Sequence, residues 1–345
     1  MSKPRIFIDG HVGTTGLRIR EWLGPRQDIE LSMLDDAERK SDAARQKAIA
    51  ESDVSVLCLP DAAAEEAAAW AKQSGSRLID ASTAHRVAPG WVFGMPELAP
   101  GQREAIRNAQ FVSNPGCYPT PFIALVRPLI EAGLLGRDVP LALHGLSGYS
   151  GGGKTLIERW EAKDQGRVGL PFEAPYALER IHKHVPEMRQ YAGLDQAPQF
   201  IPAVGPFACG MRVMVPIPAS LFRSGALGEA AGRAIAAAGS QTGSQAASLG
   251  EAVGHAAWLI LSARYAGERF VEVAPYTGLA PTDDFALDPR ALNDTNRMRL
   301  HVLPNPAGHV LLVGILDNLG KGACGAAIQS MNLMLGLDEG MGLPV

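Results

Sequence analysis

The first third of the chain alternates short, almost unbroken apolar runs with longer stretches whose apolar positions recur three and four residues apart. RIFID (5–9), IELSML (29–34), VSVLCL (54–59) and SRLIDAS (76–82) have the pattern of strands buried on both faces of a parallel sheet. Between them, residues 15–23, about 40–51 and 62–74 read as helices, the last Ala-rich and opened by Pro60-Asp61. This alternation predicts a doubly wound α/β unit. After Cys117 the pattern changes. A helix is expected to about Gly133, followed by strands in 139-VPLALHGL-146, 210-GMRVMVPIP-218, 268-ERFVEV-273 and 298-MRLHVLP-304 with long connections, as in a mixed α+β domain. The Ala-, Gly- and Ser-rich stretch 224–254 is expected to hold one surface helix and a loose loop.

Composition changes this picture only by exclusion. A chain of 345 residues with 46% hydrophobic and 20% charged residues suits two domains of ordinary size. A net charge of −4 offers no overall basic surface, so nucleic acid is not an expected partner. No apolar run has the length of a membrane span, and the opening MSKPRIFIDG enters a strand without a signal-peptide core, so no membrane partner and a cytoplasmic location are expected. Cys58, Cys117, Cys209 and Cys324 are scattered without a C-x-x-C pair; reduced thiols and no metal centre follow.

Candidate chemistry sits at three places. In 113-SNPGCYPTPF-122 a Pro-Gly turn leads to Cys117, and Pro119 and Pro121 suit the first turn of a helix. A thiol just before a helix N-terminus is favoured as thiolate; a small buried hydrophobe is the competing reading. The loop 10-GHVGTTG-16 follows the first strand and opens the first helix, where Gly10, Gly13, Thr14, Thr15 and Gly16 can bring backbone amides to a pyrophosphate. Its G-x-x-G-x-x-G spacing departs from the usual dinucleotide fingerprint, and an ordinary glycine turn is the alternative. After the second strand, Asp35 and Asp36 suit ribose hydroxyls, whereas Arg39, Lys40 and Arg45 suit a 2′-phosphate, which leaves NAD and NADP both open. The third place is 182-HKHVPEM-188, whose histidines, two apart, are expected to point in different directions, against a shared metal and in favour of one acid/base histidine. The segment 147-SGYSGGGK-154 offers Ser147, Gly148 and Lys154 to an acyl substrate or its phosphate, or is simply a hinge.

Taken together, SNPGCYPT, GHVGTTG, DASTAHR (80–86), HKHVPEM and 318-NLGKGACGAAIQSMNLMLG-336 resemble the N-acetyl-γ-glutamyl-phosphate reductases in their shorter bacterial form, nearly end to end. The resemblance implies a Rossmann-type nucleotide-binding domain (1–116 and 318–345) joined to a semialdehyde-dehydrogenase-like α+β catalytic and dimerisation domain (117–317). It implies NADP as cofactor, with Arg39, Ser82 and Asn318 added to the phosphate loop. A small acyl-phosphate substrate, a homo-oligomer (dimer or tetramer) and NADPH-dependent reduction through a Cys117 thioester in arginine biosynthesis are implied as well. His184 would be the acid/base, and Arg86, Ser147, Gly148, Lys154 and Glu187 substrate contacts. Aspartate-semialdehyde dehydrogenase is the competing enzyme, although such enzymes usually have Asn-Cys where this chain has Gly116-Cys117. A non-catalytic NADP-binding regulator of the same fold is the other alternative.

Overall fold

The computed structural model describes residues 3–162, 171–223, 249–283 and 285–345. Six strands form a sheet in the order β2-β1-β3-β4-β6-β5 with every pairing parallel. They are β1 (Arg5–Asp9), β2 (Glu30–Ser32), β3 (Val54–Leu57), β4 (Leu78–Asp80), β5 (Val92–Phe93) and β6 (Phe111–Ser113). Helices α1 (Thr14–Leu23), α2 (Asp42–Ala50), α3 (Asp61–Ser74) and α4 (Gln102–Asn108) connect them. Helix α3 shows local sequence logic at both ends: Pro60 occupies the N-cap, Asp61 the first turn, and Gly75 the left-handed C-cap at φ 75°. Strand order reverses between β1 and β3, which opens a crevice beyond their C-terminal ends.

A second sheet of seven strands runs β11-β12-β13-β10-β7-β9-β8 with mixed directions. Its members are β7 (Ala142–Gly148), β8 (Ala174–Pro175), β9 (Gln199–Gly205), β10 (Met211–Ile217), β11 (Val271–Val273), β12 (Met298–Pro304) and β13 (Val310–Leu316). Two helices, α5 (Pro119–Glu131) and α8 (Leu249–Arg264), pack on one face of it. Phe122, Leu125 and Leu129 of α5 share a core there with Val213, Leu300 and Leu312. Two shorter helices, α6 (Gly153–Glu161) and α7 (Val185–Ala192), flank the mouth of the crevice. The last helix, α9 (Gly325–Met334), follows a π-type turn at Gly320–Cys324, and its Ile328 and Met331 enter the core of the first sheet beside Ile6, Ile8 and Ile79.

Of the stretch 224–254, expected to hold one surface helix and a loose loop, residues 224–248 lie outside the described residues; residues 249–254 begin α8, with Val253 and Gly254 buried.

Candidate active site

A cleft of about 1100 Å³ opens where the first sheet's switch point faces the second sheet, and it brings Gly13, Thr14, Thr15, Arg86, Cys117, Ser147, Gly148, His184 and Asn318 to one surface. The position of Cys117 follows from the turn before it. Asn114 leaves β6 and Tyr118 caps α5, with Pro119 at the helix start, so the thiol sits one residue ahead of the cap. Burial pushes it up to about 11, the Arg86 guanidinium and the Tyr118 amide opposing only in part. Of the two readings offered for this thiol, the thiolate and the small buried hydrophobe, burial favours the protonated form in the free protein against the pull of Arg86 and the helix-start amide.

Gly116, just before the thiol, is where three side chains converge. A Cβ there would lie 2.6 Å from Arg86 Nη1, 2.6 Å from Glu187 Oε1 and 3.0 Å from His184 Nε2. Arg86 donates to Glu187 Oε1 at 2.8 Å, and the Gly116 N–H donates to Glu187 Oε2 at 3.0 Å. Both partners are buried, so their charges compensate each other in a place where either alone would be costly. Burial pushes the Glu187 carboxyl upward, with Arg86 pulling against it. His184 caps the start of α7 and is 7% exposed; burial, followed by the Arg86 charge, holds its imidazole well below its usual range. Thiol and imidazole are thus both neutral at pH 7, an arrangement suited to a proton transfer during reaction and not to a standing ion pair.

The two histidines do not diverge as their spacing predicts, because a turn closed by the Val185 N–H on the His182 carbonyl at 2.9 Å brings them side by side. Their rings lie 4.7 Å apart, edge to face, and His182 Nδ1 accepts the His184 backbone N–H at 3.2 Å. That bond places the His182 proton on Nε2, facing the Tyr176 hydroxyl at 3.4 Å. Burial pushes His182 down to about 4. Both Tyr176 and His182 belong to the cleft; sequence reasoning singles out His182 as one of the paired histidines but passes over Tyr176, which has no motif around it to signal its place.

On the opposite wall, Gly13 N-caps α1 with extended backbone and no side-chain cap, leaving the first helical amides, at Thr14 and Thr15, open toward the cleft. Gly10 takes φ 85°, and a Cβ on Gly16 would lie 2.5 Å from the Gly10 carbonyl, so the loop lies flush against the helix. The donor set fits a pyrophosphate. Of the cations offered for a 2′-phosphate, Arg45 is withdrawn: it is buried, bonded to Asp9 Oδ2 at 2.9 Å, and its guanidinium lies over Trp70. Arg39 remains at the surface in the turn after β2, paired with Asp36 at 2.9 Å.

Three predicted contacts stand differently. Lys154 is 88% exposed and paired with Glu158 across one helical turn, so the structure does not bring its ammonium to the cleft; α6 turns that face outward. Ser82 is buried behind the wall, its hydroxyl donating to Asp80 Oδ2 at 2.7 Å. Asp80 also bonds His85 Nδ1 and the Ser82 N–H, and so ties the turn that presents Arg86. Asn318 lines the cleft but spends its amide as a brace, accepting from the Gly210 N–H at 2.8 Å and donating to Ser150 Oγ at 3.0 Å.

Residues 23–109 match the family model described as semialdehyde dehydrogenase, NAD binding domain, and residues 117–234 the model described as semialdehyde dehydrogenase, dimerisation domain. Among solved structures, aspartate semialdehyde dehydrogenase II from Vibrio cholerae superposes with a TM-score of 0.68 over 97% of this chain and 99% of that one, at 15% identity, which speaks to the fold alone. Among curated proteins, N-acetyl-gamma-glutamyl-phosphate reductase 2 of Nostoc sp. is 46% identical over 99% of this chain and all of its own. The N-acetyl-gamma-glutamyl-phosphate reductase of Burkholderia cenocepacia is 46% identical over 97% of this chain and 98% of that protein. Sequence identity of that order from end to end, on a cleft holding Cys117, His184 and an open helix N-terminus, means that this chain belongs to the N-acetyl-gamma-glutamyl-phosphate reductase family.

Proposed function

We propose that the chain reduces N-acetyl-γ-glutamyl phosphate to N-acetylglutamate semialdehyde and phosphate, reversibly, with NADPH, as a step of arginine biosynthesis. The observation that carries the reading is the meeting of Cys117 and His184 in one cleft with the open amides of α1. The amides of Thr14 and Thr15 would hold the pyrophosphate, with Gly10, Gly13 and Gly16 giving it room and Arg39 meeting the 2′-phosphate; bound there, NADPH supplies the hydride. The division into a cofactor domain of 1–116 with 318–345 and a catalytic domain of 117–317 belongs to the same reading.

His184 accepts the Cys117 proton as sulfur bonds to the acyl carbon. The carbon–oxygen bond to phosphate then breaks, and His184 passes that proton to the departing phosphate, leaving a thioester on Cys117. After hydride reaches the thioester carbon, the resulting oxyanion expels the Cys117 thiolate, which regains a proton through His184. Arg86 draws the phosphoryl group toward the thiol and Glu187 keeps that guanidinium in place, while Ser147 and Gly148 line the acyl side. Assembly with further copies of the chain fits the dimerisation-domain match and the half-buried Met214, Leu303 and Leu311 on the sheet face opposite α5 and α8.

The test is the reverse reaction: semialdehyde, phosphate and NADP⁺ should give NADPH absorbance, and aspartate semialdehyde should not. Preference for the aspartyl substrate would move the chain to the competing enzyme. Absence of turnover with either, alongside intact NADPH binding, would favour the regulatory reading. For cofactor choice, Arg39→Ala is expected to weaken NADPH roughly tenfold and leave NADH within about twofold, because only NADPH carries the extra phosphate. Fluorescence titration with both cofactors reads this, and equal losses reject the pairing.

A further inference from the structure

The mechanism leaves unused a buried ion pair between Lys321 and Glu97. Lys321 is 1% exposed, and its ammonium donates to Glu97 Oε1 at 2.8 Å and Gln329 Oε1 at 2.7 Å. Gln329 Nε2 donates to the same Glu97 oxygen at 3.0 Å, and the Phe270 ring lies beneath the ammonium. Glu97, 3% exposed, belongs to the loop after β5, and Gln329 to α9. The cluster therefore ties the loop after β5 to the continuous stretch of turn and α9 around a single charge pair.

Lys321 stands inside the π-type turn Gly320–Cys324. The turn carries five-residue bonds from Gly322 N–H to the Asp317 carbonyl and from Cys324 N–H to the Leu319 carbonyl. Such a turn contains one residue more than an α-helical path and persists only where its surroundings hold it. Its other side reaches the cleft: Leu319, Gly322 and Ala323 line it, and a Cβ on Gly322 would lie 2.9 Å from the Cβ of Cys117. Relaxation to α-helical register would rotate Gly322 away and carry a neighbour with a side chain toward Cys117. Asn114, three residues before the thiol, donates to the Ala323 carbonyl at 3.0 Å, so the turn and the thiol loop are also joined directly.

We propose that Lys321 is a positioning residue for the nucleophile: its buried pair with Glu97 anchors the π turn from behind in the one register that sets Gly322 against Cys117. It touches neither substrate nor cofactor in this role. The pair thereby fixes the direction from which Cys117 meets an acyl carbon. The inference rests on the reading of Cys117 as nucleophile.

The test replaces both charges together, Lys321→Met with Glu97→Gln, so that no lone buried charge is left. In the folded double variant, kcat per alkylatable Cys117 is expected to fall 10- to 100-fold, with KM for the acyl phosphate and Kd for NADPH within about threefold. The rate constant for iodoacetamide alkylation of Cys117 should change with it. Lys321→Arg, which keeps the charge but not the length, should fold and show a smaller loss of kcat. A merely structural role predicts a lower melting temperature with unchanged kcat per folded site. That result in the double variant, or unchanged kcat in Lys321→Arg if the double variant does not fold, overturns the proposal. Alkylation needs no substrate. A wild type without turnover would therefore count against the proposed reaction, while the alkylation comparison would still judge the role of Lys321.

Discussion

Cys117→Ser is expected to lower reduction of the acyl phosphate by at least about 10³-fold while leaving NADPH affinity within about twofold. The affinity is built on the α1 wall, whereas sulfur is the only proposed atom that bonds to substrate. The pH dependence of the wild-type thiol gives this prediction its second half. With Cys117 pushed up to about 11, only about one thiol in 10⁴ is ionised at pH 7. Alkylation by iodoacetamide in the free protein should therefore rise about tenfold per pH unit above neutrality and level off only near pH 11. A plateau below pH 8 would mean a standing thiolate–imidazolium pair and would overturn the account of two neutral partners. Substantial turnover by the serine variant would remove the thioester altogether.

His184→Ala is expected to lower kcat by about 10²- to 10⁴-fold, the range for a positioned acid/base, with KM changed much less. Since burial and Arg86 hold the imidazole below its usual range, His184 is available as a base through neutral pH, and kcat should fall only as acid protonates it. His182→Ala should cost about tenfold or less, because His182 acts by accepting the His184 backbone N–H and not by moving a proton. If His182→Ala costs more than His184→Ala in steady-state kinetics, the base has been assigned to the wrong ring.

The strand RIFID was legible residue for residue because its inner Ile6, Phe7 and Ile8 form an unbroken buried apolar run, and α3 was legible because its ends carry their own stop signals. Strands β5 and β6 have two and three residues, too few to establish a period, and VLLVGIL of β13 is apolar throughout, so periodicity could not separate strand from helix. The cleft divided in the same way. Cys117 announced itself through its prolines and the phosphate loop through its place after a strand. Arg45 and Lys154 were misplaced for opposite reasons: a basic residue after the second strand proved to be committed to Asp9, and one in a glycine-rich loop proved to be on the outer face of a helix. Local sequence carries no record of a partner 36 residues away. Nor could it give the sign of the Cys117 shift, since the helix end is a local feature and burial is supplied by the whole fold.

Gly116 has a consequence for how such a site can change over evolutionary time. Any other residue there meets Arg86 and Glu187, which are pinned to each other, so adding a side chain at 116 begins with a collision. Loosening the pair first exposes an uncompensated buried charge, at a cost of about 3–5 kcal/mol, a large share of the stability of an ordinary domain. Neither order of single substitutions is easy, so a side chain at 116 is expected to arrive only together with changes at 86 or 187.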